Sequence, residues 1–136
     1  ALQVYQQAAR IAPRKATHYL RLGRLCRALG QLDAALGHLQ QARELEADNT
    51  NILREVGLVF EARRQFDRAY QIYESLIQLE PDLAENFFRG GIALKALRDY
   101  AQAAHLFQRA AELDPDNIEA ERQRLAVSAL GILSNS

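Results

Sequence analysis

The pattern of apolar and polar positions in residues 84–117 occurs again in residues 50–83 and in residues 16–49, which gives a period of 34 residues without insertion or deletion. One phase of this period carries glycine in all three windows, another carries alanine, and a third carries a large apolar side chain. The residues in these phases are Gly23, Gly57 and Gly91, then Ala35, Ala69 and Ala103, and then Tyr19, Leu53 and Phe87. A fixed period of this length is typical of a helical repeat array.

Each window contains two apolar stripes with helical spacing, separated by a short break such as Gly30-Gln31. Small residues at the glycine and alanine phases allow two antiparallel helices to pack closely, because larger side chains would push the helices apart. The large apolar phases face the neighbouring repeat, so stacking stabilises each unit. The predicted helices cover residues 2–12, 16–29, 32–46, a pair within 50–79, a pair within 84–113, and 118–133.

The two ends of the chain depart from the full repeats. Residues 1–15 have the phases of the second helix of a truncated repeat, and Pro13 lies in the phase of Pro81. Residues 118–133 carry charged or polar side chains at phases that are apolar in the repeats, so we predict a capping helix that Gly131 ends. The side chains expected to cover the last repeat are Ile118, Ala120, Leu125 and Val127.

These phases resemble those of the tetratricopeptide repeat (TPR) family. In the last window the matching residues are Phe87, Gly91, Ala103, Phe107, Ala110 and Pro115. The resemblance covers nearly the whole chain and implies one all-α domain over residues 1–136, a right-handed superhelical solenoid of antiparallel helix pairs. It implies about three and a half repeats and a C-terminal capping helix. The full repeats are residues 16–49, 50–83 and 84–117.

Composition narrows the range of partners and compartments. The chain has 17 basic and 17 acidic residues, so no net field directs it to nucleic acid or to an anionic membrane, and we expect neither as a partner. No stretch reaches the roughly 18 apolar residues of a membrane span. The single cysteine, Cys26, lies in an apolar phase, which predicts a buried thiol and favours a reducing, cytoplasmic compartment. Because the sequence begins within a period, we expect it to be a fragment of a longer protein.

The sequence pattern contains no converging set of catalytic groups. His18, His38 and His105 lie on different predicted helices, and no two of them are four residues apart, so they lack a metal-ligand spacing. Gly90-Gly91 lies inside a predicted helix and cannot form a phosphate-binding loop. We therefore predict that the protein is not an enzyme and requires no metal or other cofactor.

The resemblance implies that the face of each first helix opposite its packing stripe lines a concave groove. Basic residues outnumber acidic residues on this face, and its N-terminal end carries three arginines without an acid. Farther along, Leu58, Phe88 and Ile92 are expected to form an exposed apolar strip. The predicted partner-binding groove comprises Leu20, Arg21, Arg24, Arg27, Asn51, Arg54, Leu58, Phe88, Arg89, Ile92 and Lys95.

Two interpretations of the groove charges are open. Arg24 lies within reach of Glu55, and Arg89 lies one repeat from Glu119, so the charges can pair with each other at about 0 to 1 kcal/mol for each exposed pair. Alternatively, the arginines are available to an acidic partner. We expect the second interpretation for Arg21 and Arg24, which have few acids nearby.

Some TPR domains clamp the C-terminal carboxylate of a chaperone with Lys, Asn and Arg side chains on three successive first helices. The corresponding residues here are Leu20, Arg24, Glu55, Glu85 and Arg89, and only Arg89 matches. Two acids replace groups that should attract a carboxylate. We therefore expect no chaperone docking of this type.

The leading hypothesis is a non-catalytic protein–protein interaction module or scaffold that binds a partner segment in the groove. The balance of side chains favours a protein or peptide segment that is acidic and has an apolar anchor. One alternative is a self-associating structural scaffold, with a weak homodimer through the N-terminal edge at residues 2–12. Another is an accessory TPR domain of a larger enzyme.

Overall fold

Seven α-helices make up most of residues 15–134, the part that the computed structural model describes, and no strand occurs in this part. The first helices of the three full repeats begin at Ala16, Thr50 and Ala84, so the 34-residue period of the sequence is also the period of the structure. The helix predicted over residues 2–12 lies outside the described residues. The helices are α1 (Ala16–Ala28), α2 (Leu32–Leu45), α3 (Thr50–Ala62), α4 (Phe66–Leu79), α5 (Ala84–Ala96), α6 (Tyr100–Leu113) and α7 (Ile118–Ser134).

The turn after each first helix contains one residue with a left-handed backbone. These residues are Gly30, Arg64 and Arg98, with φ of 78°, 61° and 65°. Their backbone N–H groups donate to the carbonyl oxygens three residues earlier at 3.0, 2.9 and 3.0 Å, respectively. The conformation reverses the chain for the second helix, and only glycine adopts it without steric cost.

Side chains cap three of the helices. The Oδ1 atoms of Asn49, Asp99 and Asn117 accept hydrogen bonds at 3.0, 3.3 and 3.1 Å from backbone N–H groups two or three residues later. These acceptors satisfy N–H groups in the first turns of α3, α6 and α7, which have no partner within the helix. Asn49 and Asn117 lie between repeats, whereas Asp99 lies between the two helices of one repeat.

The described residues fall into two compact units, which are divided between Arg64 and Gln65. In the first unit, α1 packs against α2, and α3 packs against both. A Cβ atom at Gly23 of α1 would lie 2.5 Å from Cγ of Leu39 in α2, and Leu39 itself is fully buried. Cys26 is also buried in this unit, as predicted. The glycine phase thus marks the closest approach of the two helices.

The second unit contains α4–α7, and its core lies between α5, α6 and α7. A Cβ atom at Gly91 would lie 2.7 Å from Cε1 of Phe107, which repeats the relationship of Gly23 to Leu39. Leu94, Ala103 and Val127 form a buried cluster with Phe107. Alanine and glycine therefore bring the backbones together around one large ring.

A buried amide stabilises the turn between α4 and α5. Asn86 is 1% exposed, and its Nδ2 atom donates to the carbonyl oxygens of Leu76 at 3.2 Å and Glu80 at 3.3 Å. These carbonyls belong to the C-terminal end of α4 and also accept from the backbone N–H groups of Glu80 at 2.7 Å and Leu83 at 3.3 Å, so the amide is a second donor to each. Asn86 therefore contributes a structural contact rather than a surface for a partner.

The terminal helix α7 packs on α6, but only part of the predicted capping face is correct. Ala120 and Val127 are fully buried, whereas Ile118 and Leu125 are 66% and 56% exposed. Residues two positions apart on a helix point about 200° apart, so Ile118 and Leu125 lie opposite the two buried residues. The prediction that Gly131 ends the helix is also wrong, because α7 continues to Ser134.

Candidate functional site

Three arginines of α1 occupy one side of that helix, three residues apart. Two of them converge on Glu55 of α3: Arg24 Nε donates to Oε1 at 3.3 Å, and Arg27 Nε donates to Oε2 at 2.8 Å. Glu55 is only 8% exposed, whereas Arg21 is exposed at the free end of the row. We call Arg21, Arg24 and Arg27 the arginine surface.

The expectation that Arg24 lacks an acidic partner is wrong. The helices α1 and α3 lie side by side, which brings the carboxylate of Glu55 between Arg24 and Arg27 although 28 to 31 residues of sequence separate them. The expectation stands for Arg21, since no ion pair to this residue occurs within residues 15–134. The surface therefore carries three positive charges and one buried negative charge.

The other predicted groove residues of the first unit differ in exposure. Asn51 is exposed, and Arg54 and Leu58 are half-buried. Leu20, however, is only 8% exposed, so it belongs to the packed side of α1 and offers a partner little surface. The polar side chains of α1 and α3 therefore dominate the accessible part of this face.

In the second unit, the predicted charges of α5 are paired within the chain. Arg89 Nε donates to Glu85 Oε1 at 2.9 Å, four residues earlier on the same helix. Lys95 Nζ donates to Gln123 Oε1 at 2.9 Å, and Gln123 Nε2 donates to Glu119 Oε1 at 2.9 Å. Residues four apart on a helix are neighbours on its surface, which allows the Glu85–Arg89 pair to form.

The apolar residues of α5 are less exposed than the sequence predicted. The ring of Phe88 makes an edge-on contact with the ring of Phe107, with a centroid distance of 5.6 Å, and Phe88 is half-buried. Ile92 packs against the same buried cluster. The expectation that Phe88 belongs to an exposed strip is therefore wrong, because its long side chain reaches the core from the edge of the packing stripe.

Burial affects two titratable groups of the first unit. It raises the pKa of the Cys26 thiol and lowers the pKa of His38, because each group loses solvation of its charged form. Within residues 15–134, no group of three or more His, Cys, Asp or Glu side chains is arranged to hold a metal ion. No helix in this range is both long and apolar enough to cross a membrane.

Comparison with known proteins identifies the repeats and the fold. Family models described as "Tetratricopeptide repeat" match residues 17–53, 52–86 and 84–117. Among curated proteins, no sequence matches the chain significantly. The predicted family resemblance and the all-α repeat fold are both confirmed by these matches and by the similar solved structures described next.

Three solved structures illustrate the similarity. The chain is similar to MamA from Desulfovibrio magneticus RS-1, with a TM-score of 0.91, 18% identity, and coverage of 96% of this chain and 73% of that one. It is similar to the first TPR of Spaghetti (RPAP3), solved with the HSP90 peptide SRMEEVD (TM-score 0.80, 21% identity, coverage 85% and 92%). It is also similar to YrrB, described as a TPR protein with an unusual peptide-binding site (TM-score 0.83, 22% identity, coverage 99% and 70%).

Proposed function

The chain belongs to the tetratricopeptide repeat family, and from this premise we propose that it is a non-catalytic protein–protein interaction module. It binds a segment of a partner protein on the outward faces of its first helices. Solved structures with the same fold include one with a bound peptide and one described by its peptide-binding site. Those descriptions support a binding role for this chain as well.

The observation that carries the proposal is the arginine surface. Arginines are enriched at interaction surfaces, since the guanidinium group forms planar, charge-assisted hydrogen bonds to carboxylates. Here Glu55 pairs with two of the three arginines and carries one negative charge, so the surface has an excess of positive charge although the whole chain has none. This local excess favours an acidic segment as the partner.

Half-buried apolar side chains supply the second part of the proposed recognition. In the first unit Leu58 lies on α3, and in the second unit Ile92 lies on α5. Partly covered apolar side chains on otherwise polar helix faces can bind an apolar anchor without exposing a large patch. Arg54, Arg89 and Lys95 remain proposed polar contacts around these anchors.

Selection of displayed random peptides with the folded chain as bait tests the proposal. We expect enrichment of acidic segments with an apolar residue, and weaker binding of the selected peptides after Arg21→Ala or Arg24→Ala. Arg43→Ala is the matched control, because Arg43 is an exposed arginine of α2 and its loss changes the net charge equally. If no peptide is enriched, or if all three variants bind the peptides equally well, the proposal is contradicted.

A second candidate function, a self-associating scaffold, is favoured by the outward side of α7. Leu125 and Ile132 are 56% and 73% exposed there, and adjacent exposed apolar side chains often mark contacts between proteins. The N-terminal edge at residues 2–12, predicted to dimerise, lies outside the described residues. Sedimentation equilibrium of the parent and of Leu125→Glu tests this candidate. A monomeric parent at all concentrations would exclude it.

A further inference from the structure

Glu55 contacts each of its two arginines through a single nitrogen. Arg24 and Arg27 both donate from Nε, and within residues 15–134 their Nη groups make no hydrogen bond. The arginine side chains are 49% and 34% exposed, whereas the side chain of Glu55 is 10% exposed. The carboxylate is thus mostly enclosed, whereas the two arginine side chains that contact it stay partly exposed to solvent.

This arrangement reduces the freedom of two side chains that are otherwise among the most flexible. An arginine held at Nε has already lost much of its rotamer entropy, so binding a further group through Nη costs less. Glu55 neutralises only one of the three positive charges of the arginine surface. The cluster therefore has a net charge of about +2 and has oriented donors that are free to meet a second acceptor.

We propose that Glu55 is a positioning residue that holds Arg24 and Arg27 in place, and that these arginines, with Arg21, bind two neighbouring carboxylates of a partner segment. The inference rests on the proposed function and specifies its ligand. Two acidic side chains balance the net charge of the cluster. Planar carboxylates also match the paired N–H donors of a guanidinium group.

The role of Glu55 can be separated from its charge, because the two effects have opposite signs. If only net charge matters, Glu55→Gln makes the surface more positive and strengthens the binding of an acidic peptide. If Glu55 positions the arginines, the amide accepts from one side with one oxygen, Arg24 and Arg27 are no longer held together, and binding weakens. If Glu55 only stabilised the fold, Glu55→Gln would lower the melting temperature, but the folded variant would not bind the acidic peptide more weakly.

Fluorescein-labelled, C-terminally amidated octapeptides serve as probes, each with two glutamates one residue apart, one leucine, and alanine and serine elsewhere. Fluorescence anisotropy measures their affinity for the whole chain. We expect Glu55→Gln to weaken binding about fivefold or more, as expected for a lost charge-assisted contact. The matched control Glu44→Gln removes the same charge from an exposed position on α2 and should change the affinity less than about twofold.

Arg27→Lys tests the same point without removing a buried group. It keeps the charge but loses the planar donors, so we expect about fivefold weaker binding with unchanged helicity. If Glu55→Gln does not fold, the affinity of Arg27→Lys alone tests whether the held geometry of the arginines is needed for binding. Peptides with glutamine in place of both glutamates should bind about tenfold more weakly or worse.

Several outcomes would overturn the inference. It is wrong if Glu55→Gln binds the acidic octapeptides as tightly as the parent or more tightly, or if Arg27→Lys binds them equally well. It is also wrong if peptides with phosphoserine at the two acidic positions bind far better than the glutamate peptides, since the site is then a phosphate site. Octapeptides that fail while display-selected peptides bind overturn this inference alone, and failure of both sets overturns the proposed function too.

Discussion

Gly91 lies so close to Phe107 that a Cβ atom at position 91 would be 2.7 Å from Cε1 of the ring. Because Phe107 is fully buried, the ring cannot move away without disturbing the core. Gly91→Ala should therefore lower the free energy of unfolding by about 1–3 kcal/mol through overpacking. Chemical denaturation measures this loss.

Gly37 of α2 provides the matched control, since a Cβ atom there would meet nothing within 4 Å. Gly37→Ala should raise the free energy of unfolding by about 0.5–1 kcal/mol, because alanine favours the helix. Opposite signs for the two substitutions are the expected result. A Gly91→Ala variant as stable as Gly37→Ala would show that the glycine phase does not mark close helix contact.

Gly30→Ala tests the left-handed backbone conformation of the turn without a change in side-chain packing. A Cβ atom at Gly30 would also meet nothing within 4 Å, but its φ of 78° lies in the left-handed region. Gly30→Ala should therefore cost about 1 kcal/mol of stability, although it is sterically open like Gly37→Ala. Denaturant titration of both variants checks this. Equal stability of the two variants would contradict the turn conformation.

Val127 and Leu125 test which side of α7 packs. Val127 is fully buried, so Val127→Ala should reduce the free energy of unfolding by about 1–3 kcal/mol. Leu125→Ala should change it by no more than about 0.5 kcal/mol, since Leu125 is mostly exposed. Thermal melting of both variants gives the comparison. A larger loss for Leu125→Ala would mean that the helix packs with its other face.

Phe88→Ala tests whether the ring of Phe88 stabilises the fold. Because its ring contacts Phe107 and the surrounding core, Phe88→Ala should destabilise the fold by about 2 kcal/mol. Calorimetry measures the change, and Arg21→Ala, an exposed substitution, serves as the control. If the two variants melt together, the ring contact contributes nothing to the fold, and Phe88 is available as a binding anchor.

The helices and the closest helix contacts could be predicted from the sequence because each is repeated. The glycine and alanine phases occur in three windows, and the structure places Gly23 and Gly91 against large side chains of the following helix. The burial of Cys26 could be predicted in the same way, because its phase is apolar in the other windows. A residue type that recurs at the same phase of several windows thus indicates a packing constraint and not a chance choice of residue.

The features that the sequence did not predict depend on single residues. A buried carboxylate is rare, and nothing in the period indicates that Glu55 turns inward, since its burial depends on two arginines from another helix. The packing face of α7 was only partly predicted, because this helix departs from the repeat pattern and the three windows do not indicate which of its positions are buried. The contact of Arg89 with Glu85, four residues earlier on α5, is a local pair that the 34-residue period does not indicate.

An NMR titration of the ¹⁵N-labelled chain with a display-selected acidic peptide shows where on the chain a partner segment binds. We expect the largest changes in amide chemical shift on α1 and α3, around Arg21, Arg24 and Arg54, and we expect Arg24→Ala to reduce them in proportion to the lost affinity. Amides near Arg43 on the outward side of α2 should shift little. Shifts concentrated on α2, or on the exposed side of α7, with no response to Arg24→Ala, would contradict binding at the arginine surface.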